Sequence, residues 1–87
     1  MILGKTIRLA DGETAKVTSN WAAETEKRGT TVSSSVWETT AGTLSSAALS
    51  TPVATVFLAE NGDATLTNTA TLANGEVLIK QWRVTVK

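Results

Sequence analysis

The chain has 87 residues, the length of one small domain; 41% of them are apolar and 18% are charged. Eight basic and eight acidic residues give a formal net charge of zero, so we expect no nucleic-acid partner, because a duplex binder needs excess cation against the phosphates. Histidine and cysteine are absent from the sequence, which excludes imidazole or thiolate zinc sites, histidine-dependent nucleophiles and disulfides. We therefore expect a protein that is not an enzyme and has no cofactor.

Sixteen threonines and eight valines favour β-strands, because β-branched side chains fit a pleated, half-buried surface. Turn signals cut the chain into pieces of strand length. They are Asp11-Gly12, Arg28-Gly29, Ala41-Gly42, Asn61-Gly62 and Asn74-Gly75. The start of the chain lacks the apolar region of a signal peptide, and no run approaches the about 20 apolar residues of a membrane span. We expect a protein made in the cytoplasm, with no membrane partner.

The first two predicted strands alternate apolar and polar residues. The segment 5–10 places Ile7 and Leu9 on one face, and the segment 14–21 ends with Trp21 on its apolar face. A tryptophan on the core face of a strand buries a large area. We therefore predict Trp21 to be a core residue.

The segment 22–28 mixes charges of both signs at close range. Its structural interpretation is a solvated helical turn or a mobile loop. Its functional interpretation is an electrostatic contact that orients a partner, with Glu24, Lys27 and Arg28 as the candidate residues.

The third predicted strand, 30–39, raises a question of side-chain direction. Val32 and Val36 share one face, and Trp37 falls on the other. Either a bulge turns Trp37 into the core, or the side chain stands exposed as an interface anchor. The sequence leaves both interpretations open.

Four further strands are predicted over 42–50, 53–59, 64–72 and 77–86, and Pro52 is expected to mark a strand start or an edge. In the last two, apolar and polar residues alternate, so one face of each is predicted to be core. These core positions are Leu66, Leu72, Trp82, Val84 and Val86. About seven strands without a helical period indicate an all-β, antiparallel β-sandwich; a partly open barrel is the alternative.

Acidic residues flank two of the turns: Asp11 with Glu13, and Glu60 with Asp63. Carboxylates at such spacing can bind calcium. Two carboxylates per loop are few, however, and the EF-hand pattern is missing, so we favour ordinary turn chemistry and predict no metal site and no catalytic residue.

Five segments occur in an order that resembles a known family. They are Asn20-Trp21, the stretch from Gly29 to Trp37, Ala54–Leu58, Leu66–Thr71 with Asn74-Gly75-Glu76, and Gln81–Val86. The pattern is similar to that of small immunoglobulin-like virion proteins of tailed bacteriophages, of the fibre-tail adaptor or head decoration type. The resemblance covers roughly residues 11–87.

The resemblance implies an immunoglobulin-like domain over 11–87 with a structural role and no catalysis. The implied location is the virion, and the implied partners are other virion proteins, namely major capsid, neck or tail and fibre proteins. Further copies of the chain, as a homo-oligomer or on a lattice, are also implied. Asn68 lies in the matching leucine-threonine-asparagine strand and on the core face, so we expect its amide to bond loop backbone.

Residues 1–10 precede the resemblance and are predicted to form an N-terminal arm or first strand. Their apolar side chains, Ile2, Leu3 and Ile7, suggest an assembly contact with a neighbouring protein. An alternative function is a carbohydrate- or host-surface-binding module, which would use an exposed Trp37 and the acidic turn 60–63.

Overall fold

The computed structural model describes the backbone of residues 2–86 and the side chains of residues 6–86. It contains seven strands and one short helix, which confirms the predicted all-β class. The elements are β1 (Ile2–Leu9), β2 (Thr14–Asn20), α1 (Ala22–Arg28), β3 (Val32–Thr39), β4 (Thr43–Ser50), β5 (Val53–Ala59), β6 (Ala64–Leu72) and β7 (Val77–Val86).

The strands form two packed sheets. One has the order β1-β7-β6-β3 and the other the order β2-β5-β4. This is the arrangement of an immunoglobulin-like sandwich, with the first strand joined to the sheet that holds β3, β6 and β7. Four strand pairs are antiparallel, as predicted, but β1 and β7 are parallel. The sandwich is therefore not purely antiparallel.

The core lies between the sheets and divides into two clusters. The larger one contains Leu9, Val17, Val56, Leu58, Leu66, Trp82 and Val84. The smaller one contains Trp21, Val32, Ala70 and Leu72. All the predicted core positions are buried except Val86, which is half-buried at the end of β7.

A register shift between Val32 and Ser34 changes the direction of the side chains in β3. After the shift Trp37 pairs with buried Asn68, points inward, and stacks on Trp82 with the ring centroids 5.5 Å apart. The prediction that Val32 and Val36 share one face is wrong, because Val32 is buried and Val36 is 56% exposed. One extra residue reverses the alternation of every residue that follows it.

The charged segment after β2 is a helix of two turns rather than a mobile loop. Gly29 ends it in the left-handed conformation, with φ of 62°, and Thr30 N–H donates to the Thr25 carbonyl at 3.1 Å. Such a C-terminal cap favours glycine, because other residues are strained at positive φ. The helix thus crosses from one sheet to the other at one end of the sandwich.

The N-terminal segment is a strand of this chain's own sheet. Ile2–Leu9 pairs with β7 along most of its length, and Ile7 packs against the larger core cluster. The side chains of Ile2 and Leu3 lie outside the described residues. Of the two alternatives predicted for residues 1–10, an arm or a first strand, the structure has the strand, and an assembly contact through Ile2, Leu3 and Ile7 stays a prediction.

Candidate functional site

A buried polar bridge joins the two sheets. The Trp21 indole Nε1–H donates to Asn68 Oδ1 at 2.9 Å. The Asn68 amide in turn donates to Ser35 Oγ at 2.8 Å and to the Val36 carbonyl at 3.2 Å. The expectation that Asn68 bonds loop backbone is wrong, since its partners are an indole and two groups on β3. The bridge satisfies buried polar atoms and is structural.

Lys80 of β7 contacts α1 and the residues just before it. Its Nζ lies 4.4 Å from the centre of the Trp21 ring and donates to the Asn20 carbonyl at 2.6 Å. The same ammonium is 3.7 Å from a Glu24 carboxylate oxygen, and both side chains are mostly shielded from solvent. A cation over an indole face is attracted by the ring quadrupole.

Arg28 makes a second connection from the helix. Its Nε donates to Glu76 Oε2 at 3.3 Å, and its Nη1 donates to the Glu24 carbonyl at 3.2 Å. Two of the three charged interface candidates, Glu24 and Arg28, are thus engaged within the chain. Lys27 is exposed beside them.

The carboxylates at the turns accept backbone hydrogen bonds. Glu13 accepts from Ala10 N–H at 2.8 Å, and Asp63 accepts from Val86 N–H at 3.0 Å. Glu60 accepts from Gly12 N–H and from Gly62 N–H. These donors lower the pKa of the Glu60 carboxyl below its ordinary value, because hydrogen bonds favour the charged form.

The turn carboxylates therefore behave as turn-stabilising groups. Within residues 2–86, no group of three or more acidic side chains lies close enough together to hold a metal ion. In the same part of the chain, no helix is long and apolar enough to cross a membrane.

The most exposed element is the edge strand β4. Seven of its eight residues are exposed, and it carries no charged side chain. Among the described strands β4 pairs with β5 alone. The other three edge strands carry charges, at Arg8 in β1, Lys16 in β2 and Glu38 in β3. We call Thr43–Ser50 the β4 edge.

A bulge interrupts the β4 edge. The register with β5 shifts between Ser45 and Ala48, and Ser46 has a φ of 51°. Positive φ in a residue other than glycine marks local strain. The bulge divides the edge into two short regular segments of similar length.

A cavity of about 160 Å³ opens between β3 and the β4 edge. We call it the edge cavity; it is lined by Ser35, Trp37, Ala47, Ala48 and Leu49. The Trp37 indole N–H is buried and has no hydrogen-bond partner among the described residues. Trp37 therefore belongs to the core through its stack on Trp82 and also forms part of the cavity wall.

The sequence matches no protein-family model and no curated protein.

The β4 edge was not among the residues that the sequence pointed to. Its signal in the sequence is the run 39–59, between Glu38 and Glu60, which contains no acidic or basic residue, in a chain where the other edge strands each carry a charge. That run is also typical of a buried strand, so its exposure follows only from the position of β4 at the end of a sheet.

Proposed function

We propose that this chain is a non-enzymatic structural protein of a tailed-phage virion, which binds other virion proteins. It acts as a capsid decoration protein or as a neck or tail (fibre-tail) adaptor, and we favour a head or neck location. The observation that carries the proposal is the β4 edge, which is exposed, uncharged and unpaired on its outer side in the described chain.

An edge strand of this kind is unusual in a protein that works alone. Natural sheets protect their edges with charged side chains, prolines, bulges or covering loops, because an open edge offers backbone groups to another chain. Strand addition to such an edge is a common mode of protein recognition. The β4 edge has a bulge but no charge, so it favours a function in protein assembly.

The virion setting rests on the order of sequence motifs that resembles the phage family. The size of the domain agrees with it. A domain of 87 residues has a small core, and repeated copies in a symmetric particle add buried surface that a single copy lacks.

Carbohydrate or host-surface binding, the alternative function, has less support in the geometry. It requires Trp37 as an exposed platform, but that ring stacks on Trp82. It also uses the acidic turn 60–63, where Glu60 is engaged with backbone N–H groups. We therefore do not propose it.

The test is the composition of purified particles of the phage whose genome encodes the chain. Mass spectrometry measures its copy number relative to the major capsid protein. We expect on the order of hundreds of copies for a decoration protein, or about six or twelve for an adaptor on a symmetry axis. A non-structural protein of the same phage serves as the control for contamination. Absence of the chain from particles would overturn the proposal.

A further inference from the structure

We propose that the β4 edge pairs with the β4 edge of a second copy of this chain, antiparallel, about a two-fold axis between Ser46 and Ala47. The inference rests on the proposed assembly function and deepens it, since it names the partner of that edge. It is carried by the directions of the side chains, by the charges of the edge strands and by the edge cavity.

Because of the bulge, the inward and outward side chains of β4 are arranged symmetrically about the centre of the strand. Leu44 pairs with Leu58 and Leu49 pairs with Ala54, and both partners are buried in β5, so both leucines lie on the inner face. Without the bulge they would lie on opposite faces, because they are an odd number of residues apart.

The outer face follows the same symmetry. Ser45 pairs with exposed Phe57, and Ala48 pairs with Thr55, so both lie on the outer face. In the proposed register Leu44 lies opposite Leu49 of the second copy. Ser45 lies opposite Ala48 of the second copy. Both of these opposed pairs, which flank the bulge, then share a face, as a self-complementary two-fold interface requires.

The charges favour this edge over the other three. Self-pairing of the β4 edge brings no charged residues into the new ladder, since the strand has none. β1, β2 and β3 would each carry Arg8, Lys16 or Glu38 into an interface between identical copies. Like charges across a strand pair are destabilising.

The edge cavity indicates which chemistry a strand beside β4 should present. A strand added there extends the sheet β2-β5-β4, and its inward side chains cover the gap toward β3. Leu49 lines that gap and is 37% exposed. The second copy places its own Leu44 next to Leu49 and so supplies an apolar cover.

The expected dimer is weak. One eight-residue edge strand buries less than the about 1,600 Å² of a standard stable interface. We expect a monomer–dimer equilibrium with a dissociation constant between about 10 µM and 1 mM. Many copies held close together in a particle would strengthen such a contact through effective concentration.

Sedimentation equilibrium of the whole chain tests the pairing with charge variants. The like-charge variant carries Ser45→Lys and Ala48→Lys, which places ammonium groups opposite one another across the axis. The opposite-charge variant carries Ser45→Glu and Ala48→Lys. Thr18→Lys, on the exposed face of β2 at the other edge of the same sheet, is the matched control. Circular dichroism checks that each variant is folded.

We expect the like-charge variant to weaken dimerisation at least about tenfold. The opposite-charge variant should dimerise as well as the unmodified chain or better, and Thr18→Lys should have no effect. The inference is overturned if the unmodified chain stays monomeric up to about 1 mM, if both double variants are equally impaired, or if Thr18→Lys is as damaging. Binding of a different virion protein to the β4 edge in place of a second copy would overturn it too.

The two proposals fail separately. A chain that is present in particles but monomeric at every concentration overturns the self-pairing and leaves the virion function standing. A chain that dimerises through the β4 edge but is absent from particles supports the pairing and overturns the virion function.

Discussion

Asn68 is fully buried between the sheets, and both ends of its amide are used. Its oxygen accepts from Trp21 and its nitrogen donates to Ser35 and Val36. Burying an amide is unfavourable unless it is hydrogen-bonded. Because all the partners come from other elements, this residue links β6 with β3 and with the end of β2.

We predict that Asn68→Leu lowers the free energy of unfolding by about 1–3 kcal/mol, because it leaves the Trp21 indole N–H buried without an acceptor. Urea unfolding measures the change. Trp21→Phe and the double variant complete a mutant cycle. If the two single effects simply add, the hydrogen bond contributes nothing and the prediction is wrong.

We predict that Glu60 makes the stability of the fold depend on pH. The N–H groups of Gly12 and Gly62 hold its folded pKa below the ordinary value of 4.5. The unfolded chain therefore binds more protons in that range, so the contribution is fully present above pH 4.5 and is lost as the pH falls through the folded pKa.

The measurement is thermal unfolding as a function of pH. Glu60→Gln should remove this part of the acid-side loss of stability, while Glu26→Gln, at an exposed position on α1, serves as the control. An unchanged acid profile in Glu60→Gln would show that the turn contacts do not stabilise the folded state.

At the scale of elements, the turn between β3 and β4 depends on Gly42. Its φ is 91°, and a Cβ built there would lie 2.6 Å from the Ala59 carbonyl oxygen. Gly12 has a similar φ of 82° but has nothing within 4 Å of its Cβ position. Substitutions at these two glycines therefore distinguish the energetic cost of backbone strain from that of steric overlap.

We predict that Gly12→Ala destabilises the protein by about 1–2 kcal/mol through backbone strain alone. Gly42→Ala should lower the free energy of unfolding clearly more than Gly12→Ala does, because the Ala59 backbone must also move. Denaturant unfolding of both variants tests this. Equal losses would mean that the turn relaxes freely and that the close approach has no energetic weight.

The helix α1 depends on its surroundings. Seven residues are too few for a stable isolated helix. Lys80 and Glu76 hold it against the sheet through Glu24 and Arg28. The sequence predicted a helical turn or a loop here, and only the contacts with β7 and with the β6–β7 turn decide between them.

At the scale of the whole molecule, the first strand pairs in parallel with the last. That contact makes β1 an edge strand of the four-stranded sheet, and Leu9 of β1 is buried in the core. The segment predicted as an arm or a first strand is thus a strand in the fold of its own chain.

We predict that deleting residues 1–6 lowers the melting temperature, because the pairs of Ile2, Leu3 and Thr6 with β7 are lost. We expect the free energy of unfolding to fall by about 1–3 kcal/mol. Each kcal/mol lowers the melting temperature of a domain of this size by about 4–8 °C. Calorimetry measures it, with Lys5→Gln as the full-length control. An unchanged melting temperature would mean that the pairing of these residues with β7 does not stabilise the fold.

The sequence by itself determined the class of fold, because alternating side chains and glycine turns are local signals that depend on no distant residue. All seven strands and the direction of Leu66, Trp82 and Val84 follow from them. Local signals also put glycine with positive φ at each of the five predicted turns.

Only the tertiary structure decided the direction of Trp37, the partners of Asn68 and the exposure of β4. The first depends on a shift in register against β6, the second on which elements meet across the core, and the third on the position of β4 at the end of its sheet. Each of these is a relation between segments far apart in the chain. The alternation of apolar and polar residues along one strand carries no information about which strand lies beside it.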